Sequence, residues 1–105
     1  MEITTGKTHR GFALGKFTDL YGAKCSIQKS SLATDDAVWL GIDDPEPKIM
    51  ASHAENYGVH TNETTGWVTY PIPDVVSLTT RMHLNREQVA ALLPTLQRFV
   101  ETGEI

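Results

Sequence analysis

The strongest constraint on the fold lies near the end of the chain, in RMHLNREQVAALLPTLQRFVETGE. From Val89, the residues Leu92, Leu93, Leu96 and Val100 follow at offsets of 3, 4, 7 and 11. A period of 3.6 puts all five on one stripe. The spacing predicts an amphipathic helix over 86–102. Asn85 is a good N-cap and Gly103 stands where a C-terminal cap belongs. Gln88, three residues after Asn85, completes the spacing of a capping box, and Leu84 with Val89 has that of a hydrophobic staple. Pro94 interrupts the picture, because its ring removes a bond to Ala90 and crowds that carbonyl. A kink, or two abutting helices, is expected there.

Ahead of this helix the chain reads with period two. Residues 11–18 (GFALGKFT) put Phe12 and Leu14 on one face, and residues 24–31 (KCSIQKSS) put Cys25 opposite Lys24, Ser26 and Gln28. Asp19 and Gly22 supply a turn between them. AVWLGI, 37–42, carries Val38, Leu40 and Ile42 on one face and Trp39 and Gly41 on the other. These segments form a three-stranded meander. WVTY at 67–70 is a short strand, and VVSLTTRMHL at 75–84 is the longest strand candidate. Residues 1–10 are polar, loose or an edge strand. Residues 43–66 show no alternation and read as a long loop or insertion, with two helical turns over 50–57 ended by Gly58.

A chain of 105 residues is expected to be a single domain. The fold class is then α+β: an antiparallel sheet of four to six strands with the C-terminal amphipathic helix packed on one face. One helix cannot cover both faces of such a sheet, so a homodimer or higher homo-oligomer is expected.

Composition narrows the function classes. The net charge is −4 and the isoelectric point about 5.4, which argues against binding a nucleic-acid polymer. No apolar run resembles a signal peptide or the roughly 18–20 residues of a membrane span. With Cys25 as the single cysteine, no intrachain disulfide can form, and a reducing cytoplasm is the expected setting. The four histidines, 9, 53, 60 and 83, lack metal-ligand spacing. No glycine-rich phosphate loop is present. No cofactor is called for.

One stretch gathers unexplained chemistry. In TTRMHLNREQV, capping accounts for Asn85 and Gln88, but not for Arg81, His83 and Arg86. Arg86 opposes the helix macrodipole at the first helical position. Arg81 and His83, two apart on a strand, point together. Donors that converge at a helix N-terminus suit an anion. The competing reading is that Arg81 pairs across the surface with an acid such as Asp19, Asp35 or Glu87. A second donor set, Gln28, Lys29 and Ser30, lies in the SIQKSS strand. Trp39 and Trp67 are candidates for stacking on a ring, although core tryptophans are commoner. Catalysis by Cys25 with His83 lacks any supporting signature, and no enzyme is expected.

FTDLYGAKCSIQKSSLA, AVWLGID and RMHLNREQVAALLPTLQRFVETGE together resemble a family of short, mostly uncharacterised proteins encoded by phages and prophages. The resemblance spans about two-thirds of the chain, at its two ends. It implies a setting and no residue roles: small phage accessory proteins counter host defence by gripping a defence protein or by sequestering a signalling nucleotide. The expected function is therefore a non-catalytic binder of an anionic signalling nucleotide, through Arg81, His83, Arg86, Gln28, Lys29, Ser30, Trp39 and Trp67. The alternative is an inhibitor or adaptor that binds a host protein through its acidic surface and the 43–66 loop.

Overall fold

The computed structural model describes residues 2–105. Its elements run β1 (Thr4–Lys7), β2 (Ala13–Thr18), β3 (Lys24–Lys29), β4 (Ala37–Ile42), β5 (Lys48–Met50), β6 (Trp67–Thr69), β7 (Met82–Asn85) and α1 (Arg86–Thr102). The chain divides into two units. The first comprises residues up to Asp43 together with Thr80–Ile105, and the second is Asp44–Thr79.

The first unit is a five-stranded antiparallel sheet, ordered β1-β2-β3-β4-β7, followed by α1. This is the expected α+β architecture, with the meander over 11–42 at its centre. Within the segment expected to be loose or an edge strand, Thr4–Lys7 form an edge strand, joined to β2 by a tight turn. In that turn the Gly11 amide donates to the Thr8 carbonyl and the Phe12 amide to Thr8 Oγ1. Gly11 has φ 84°, a left-handed conformation that only glycine adopts without cost. The β2–β3 turn is held by Asp19, whose Oδ1 accepts from the amides of Tyr21 and Ala23.

Register defines the two faces. Trp39 pairs with Gln28 and His83, and Gly41 with Ser26, so Ser26, Gln28, Trp39, Gly41 and His83 share one face. Cys25, Ile27, Val38, Leu40, Ile42, Met82 and Leu84 share the other. Cys25 and His83 thus lie on opposite faces.

The expected strand over 75–84 is shortened to Met82–Asn85. The reason lies in Gly41. A Cβ there would stand 2.5 Å from the Thr80 carbonyl oxygen and 2.7 Å from the Arg81 Cα. The chain therefore crosses flat over β4 at Thr80 and Arg81 before it can pair beside it. Thr80 Oγ1 donates to the Ile42 carbonyl at this crossing.

The helix begins with the expected capping box. The Gln88 amide donates to Asn85 Oδ1, and the Asn85 amide to Gln88 Oε1, both at 2.9 Å. It runs as one helix through Pro94, not as two, and closes at Gly103, φ 74°. Its first turns meet the sheet beside β7, yet no helix residue is buried.

The second unit pairs β5 with β6 in antiparallel register, Met50 opposite Trp67. The two helical turns expected over 50–57 are present as 3-10 turns, Ala51–His53 and Glu55–Tyr57, and what the loop reading of 43–66 lacked is the strand β5. The second turn ends at Gly58, φ 81°, as expected. Sequence alternation could not reveal a three-residue strand. Among the described residues, no helix is long and apolar enough to cross a membrane.

Candidate functional site

The face that carries Trp39 holds most of the polar chemistry, and the structure distributes it unevenly. Arg81, just ahead of β7, sends Nη2 to Asp43 Oδ1 at 3.0 Å, with side chains 28% and 16% exposed. Asp43 Oδ1 also accepts from the buried Ser26 hydroxyl at 2.6 Å. The guanidinium lies 5.9 Å from the Trp39 ring centroid, within cation–π range. Arg81 thus pairs with an acid, as the competing reading has it, and the acid is Asp43. Its charge is already met, at a site shielded enough for the pair to be structural.

His83 stands edge-on to Trp39, with ring centroids 4.3 Å apart and planes at 68°. Its Nε2 lies 3.4 Å from the buried Ser30 hydroxyl. Ser30 also accepts from the Leu32 amide. Arg81 and His83 do converge as their spacing suggested, but on Trp39.

Arg86 goes elsewhere. It is exposed, and Nη1 lies 3.9 Å from Asp36 Oδ2. Lys29 Nζ reaches the other oxygen of the same carboxylate at 3.2 Å. These residues rim an apolar cleft of about 390 Å³ between the start of α1 and the sheet, with Val38, Leu84, Val89 and Leu93. Trp67 belongs to the second unit, where it is 66% exposed. The seven expected ligand residues of the first unit therefore spread over more than one place.

Three of them do meet. Gln28, Lys29 and Trp39 line a cleft of about 370 Å³ together with Thr8, His9, Arg10, Phe12 and Ser31. The size is near the small end of ligand sites. Its chemistry is one-sided: Arg10 and His9 line it with hydroxyl and amide donors, and no carboxylate does; Lys29 borders it, but its side chain shares the face of its register partner Val38. Lys29 is shared with Asp36; Arg10 lies over the Phe12 ring at 5.7 Å. On a chain of net charge −4, this is a local reversal of sign.

Trp39 supplies a second peculiarity. Its indole Nε1 is buried and has no hydrogen-bond partner among the described residues. Buried donors are nearly always satisfied, so an orphan asks for an explanation.

Sequence reasoning missed Thr8, His9, Arg10, Phe12 and Ser31. The available signal was THRGF. A Thr and a Gly three residues apart bracket a tight turn, and such a turn thrusts His9 and Arg10 out at its tip. Catalysis gains nothing from the geometry. Cys25 is buried, and its Sγ donates to the Ala23 carbonyl at 3.5 Å. Burial, then the carboxylates of Asp19 and Asp43, push its thiol above the usual value. Among the described residues, no cluster of His, Cys, Asp or Glu suits a metal.

No family model matches the chain, and neither a curated protein nor a solved structure matches it.

Proposed function

We propose that this protein is a non-catalytic binder of a small anionic molecule that carries a ring, with a nucleotide as the natural class. The observation that carries the reading is the cleft bounded by the Thr8–Phe12 turn. It joins Arg10 and His9 to two aromatic side chains, and no acid lines it. Phosphate suits the first set, since hydrogen bonds with a charged partner are about twice as strong as neutral ones. A base or other flat ring suits Phe12 and Trp39, because stacking tolerates any π-face. In the phage setting that the sequence resemblance suggests, such a binder would sequester a signalling nucleotide of host defence. Anion binding moves from Arg81 and Arg86, as first expected, to Arg10.

Calorimetric titration with mononucleotides, dinucleotides and inorganic phosphate tests this. Arg10→Ala should cost about 1.5–3 kcal/mol of affinity, the worth of a hydrogen bond to a charged group. Arg10 is exposed, so the melting temperature should hardly move. No binding by any nucleotide at millimolar concentration, or unchanged affinity in Arg10→Ala, would refute the reading.

A second reading rests on the other unit. Met50 and Trp67 are register partners on β5 and β6, 45% and 66% exposed. With Asp44, Glu46 and Glu55 nearby in sequence, this pair fits docking on a host protein with a basic, apolar surface. Trp67→Ala would abolish such docking and leave nucleotide binding intact.

A further inference from the structure

The apolar stripe that most constrains the fold remains open. Leu92, Leu93, Leu96, Phe99 and Val100 are 40–78% exposed. Among the described residues no large side chain is fully buried; the buried apolar residues are Cys25, Ala37, Ala51 and Ala54. The chain exposes 8706 Å². Two wholly separate compact bodies sharing its mass would expose only roughly 7,000 Å². The excess, about 1,700 Å², is about twice the 800 Å² that each partner gives to a standard interface.

We infer that α1 pairs with α1 of a second copy, antiparallel and about a two-fold axis near Leu96. The sequence of the helix chooses the occupant and its direction. Val89, Leu92, Leu96 and Phe99 alternate spacings of 3 and 4, the seam of a two-helix pairing. Leu93 and Val100 flank that seam on one side, and Gln88, Thr95 and Thr102 on the other. An antiparallel partner sets each flank against its own copy, apolar on apolar and polar on polar. A parallel partner would set Leu93 and Val100 against glutamine and threonine. Glu87, Arg98 and Glu101 lie on the far side of the helix, so like charges do not meet. Pro94 also lies away from the seam, where its missing N–H disturbs no contact. The exposed part of the stripe runs from Leu92 to Val100, and its midpoint is Leu96.

Sedimentation equilibrium on the full chain should give twice 11.6 kDa at micromolar concentration. Leu96→Glu should raise the dissociation constant at least about a hundredfold, because two leucine contacts are lost together. Cross-linking decides direction without relying on that variant's folding. Leu96→Cys sits near the axis and should oxidise to a disulfide-linked pair. Val100→Cys should not, since two copies lie about 12 Å apart along the axis, beyond the roughly 7 Å that a disulfide spans. A mass of 11.6 kDa at every concentration would overturn the pairing. Cross-linking of both variants would overturn its direction.

Discussion

Gly41 carries a prediction that the distances make quantitative. Alanine there would place a methyl carbon 2.5 Å from the Thr80 carbonyl oxygen, where 3.4 Å is ordinary contact. Something must retreat by about 0.9 Å. Both close atoms are backbone, so no rotamer can absorb the shift. β4 is paired on both edges, by β3 and β7, and is the less free to yield. The Thr80–Arg81 crossing must lift instead. Overpacking of this kind costs about 1–3 kcal/mol, offset by up to about 1 kcal/mol because alanine restricts the unfolded chain. Gly6, on β1, is the internal control: a Cβ there meets nothing within 4 Å. Gly6→Ala should be neutral or slightly stabilising. The offset is common to both variants, so Gly41→Ala should unfold at a lower temperature than Gly6→Ala by about 4–24 °C, from about 4–8 °C per kcal/mol in a domain of this size. Thermal denaturation followed by circular dichroism measures the difference. Because Arg81 rides on the lifted segment, Trp39 fluorescence should change as well. Equal melting temperatures for the two variants would refute the crossing as the cause of the shortened β7.

The remaining predictions separate structural roles from ligand roles. Arg81→Ala leaves Asp43 half-satisfied, with Ser26 alone, and should destabilise the fold by about 1–3 kcal/mol in chemical denaturation; nucleotide affinity should stay within twofold, and loss of affinity at unchanged stability would restore Arg81 to the site. Asn85→Ala should cost about 0.5–2 kcal/mol by removing the cap, measured the same way, and a change within error would mean the capping box contributes nothing. Cys25 should react slowly with thiol reagents at neutral pH, and fast labelling would contradict its burial. With its folded value raised, the neutral thiol is the favoured form. Its contribution to stability is present at neutral pH, starts to fade above the unfolded value of about 8.5, and is lost through the higher folded value. A Cys25→Ser variant should therefore differ most from the parent below that window, in melts taken from pH 7 upward.

The parts of the fold legible in sequence are those whose side chains repeat. Period two disclosed β2, β3 and β4, and period 3.6 with Asn85, Gln88 and Gly103 disclosed α1 and both its ends. Where alternation misled, a backbone contact intervened. Residues 75–81 alternate well, yet the close approach of Thr80 and Arg81 to Gly41 denies them a partner strand. A pattern of side chains cannot report which backbone will cross over which. The β5–β6 pair escaped notice for the opposite reason, since three residues each are too few to show a period.

The candidate site was half legible, and the missing half explains the rest. Spacing placed Arg81 and His83 on a common target, which is correct, but it could not see Asp43 arriving from the end of β4 to meet the guanidinium. Charge in a sequence is counted residue by residue, whereas a site depends on which charges remain unmet after folding. Arg81 has a carboxylate at 3.0 Å, and Arg86 shares Asp36 with Lys29. Arg10 instead rests on Phe12, with no carboxylate lining the cleft it shares with Trp39. A ring does not neutralise a cation; it orients it and leaves its donors pointing outward. The indole N–H of Trp39 is by contrast buried without a partner among the described residues, so what Trp39 offers a ligand at the cleft is its ring. Trp39→Phe keeps an aromatic ring there, and nucleotide affinity should stay within about threefold, whereas Trp39→Ala should weaken binding by about 1–3 kcal/mol, the worth of stacking a base on an aromatic side chain. Equal losses in the two variants would refute the ring as the contribution of Trp39 and would return the role to its indole N–H.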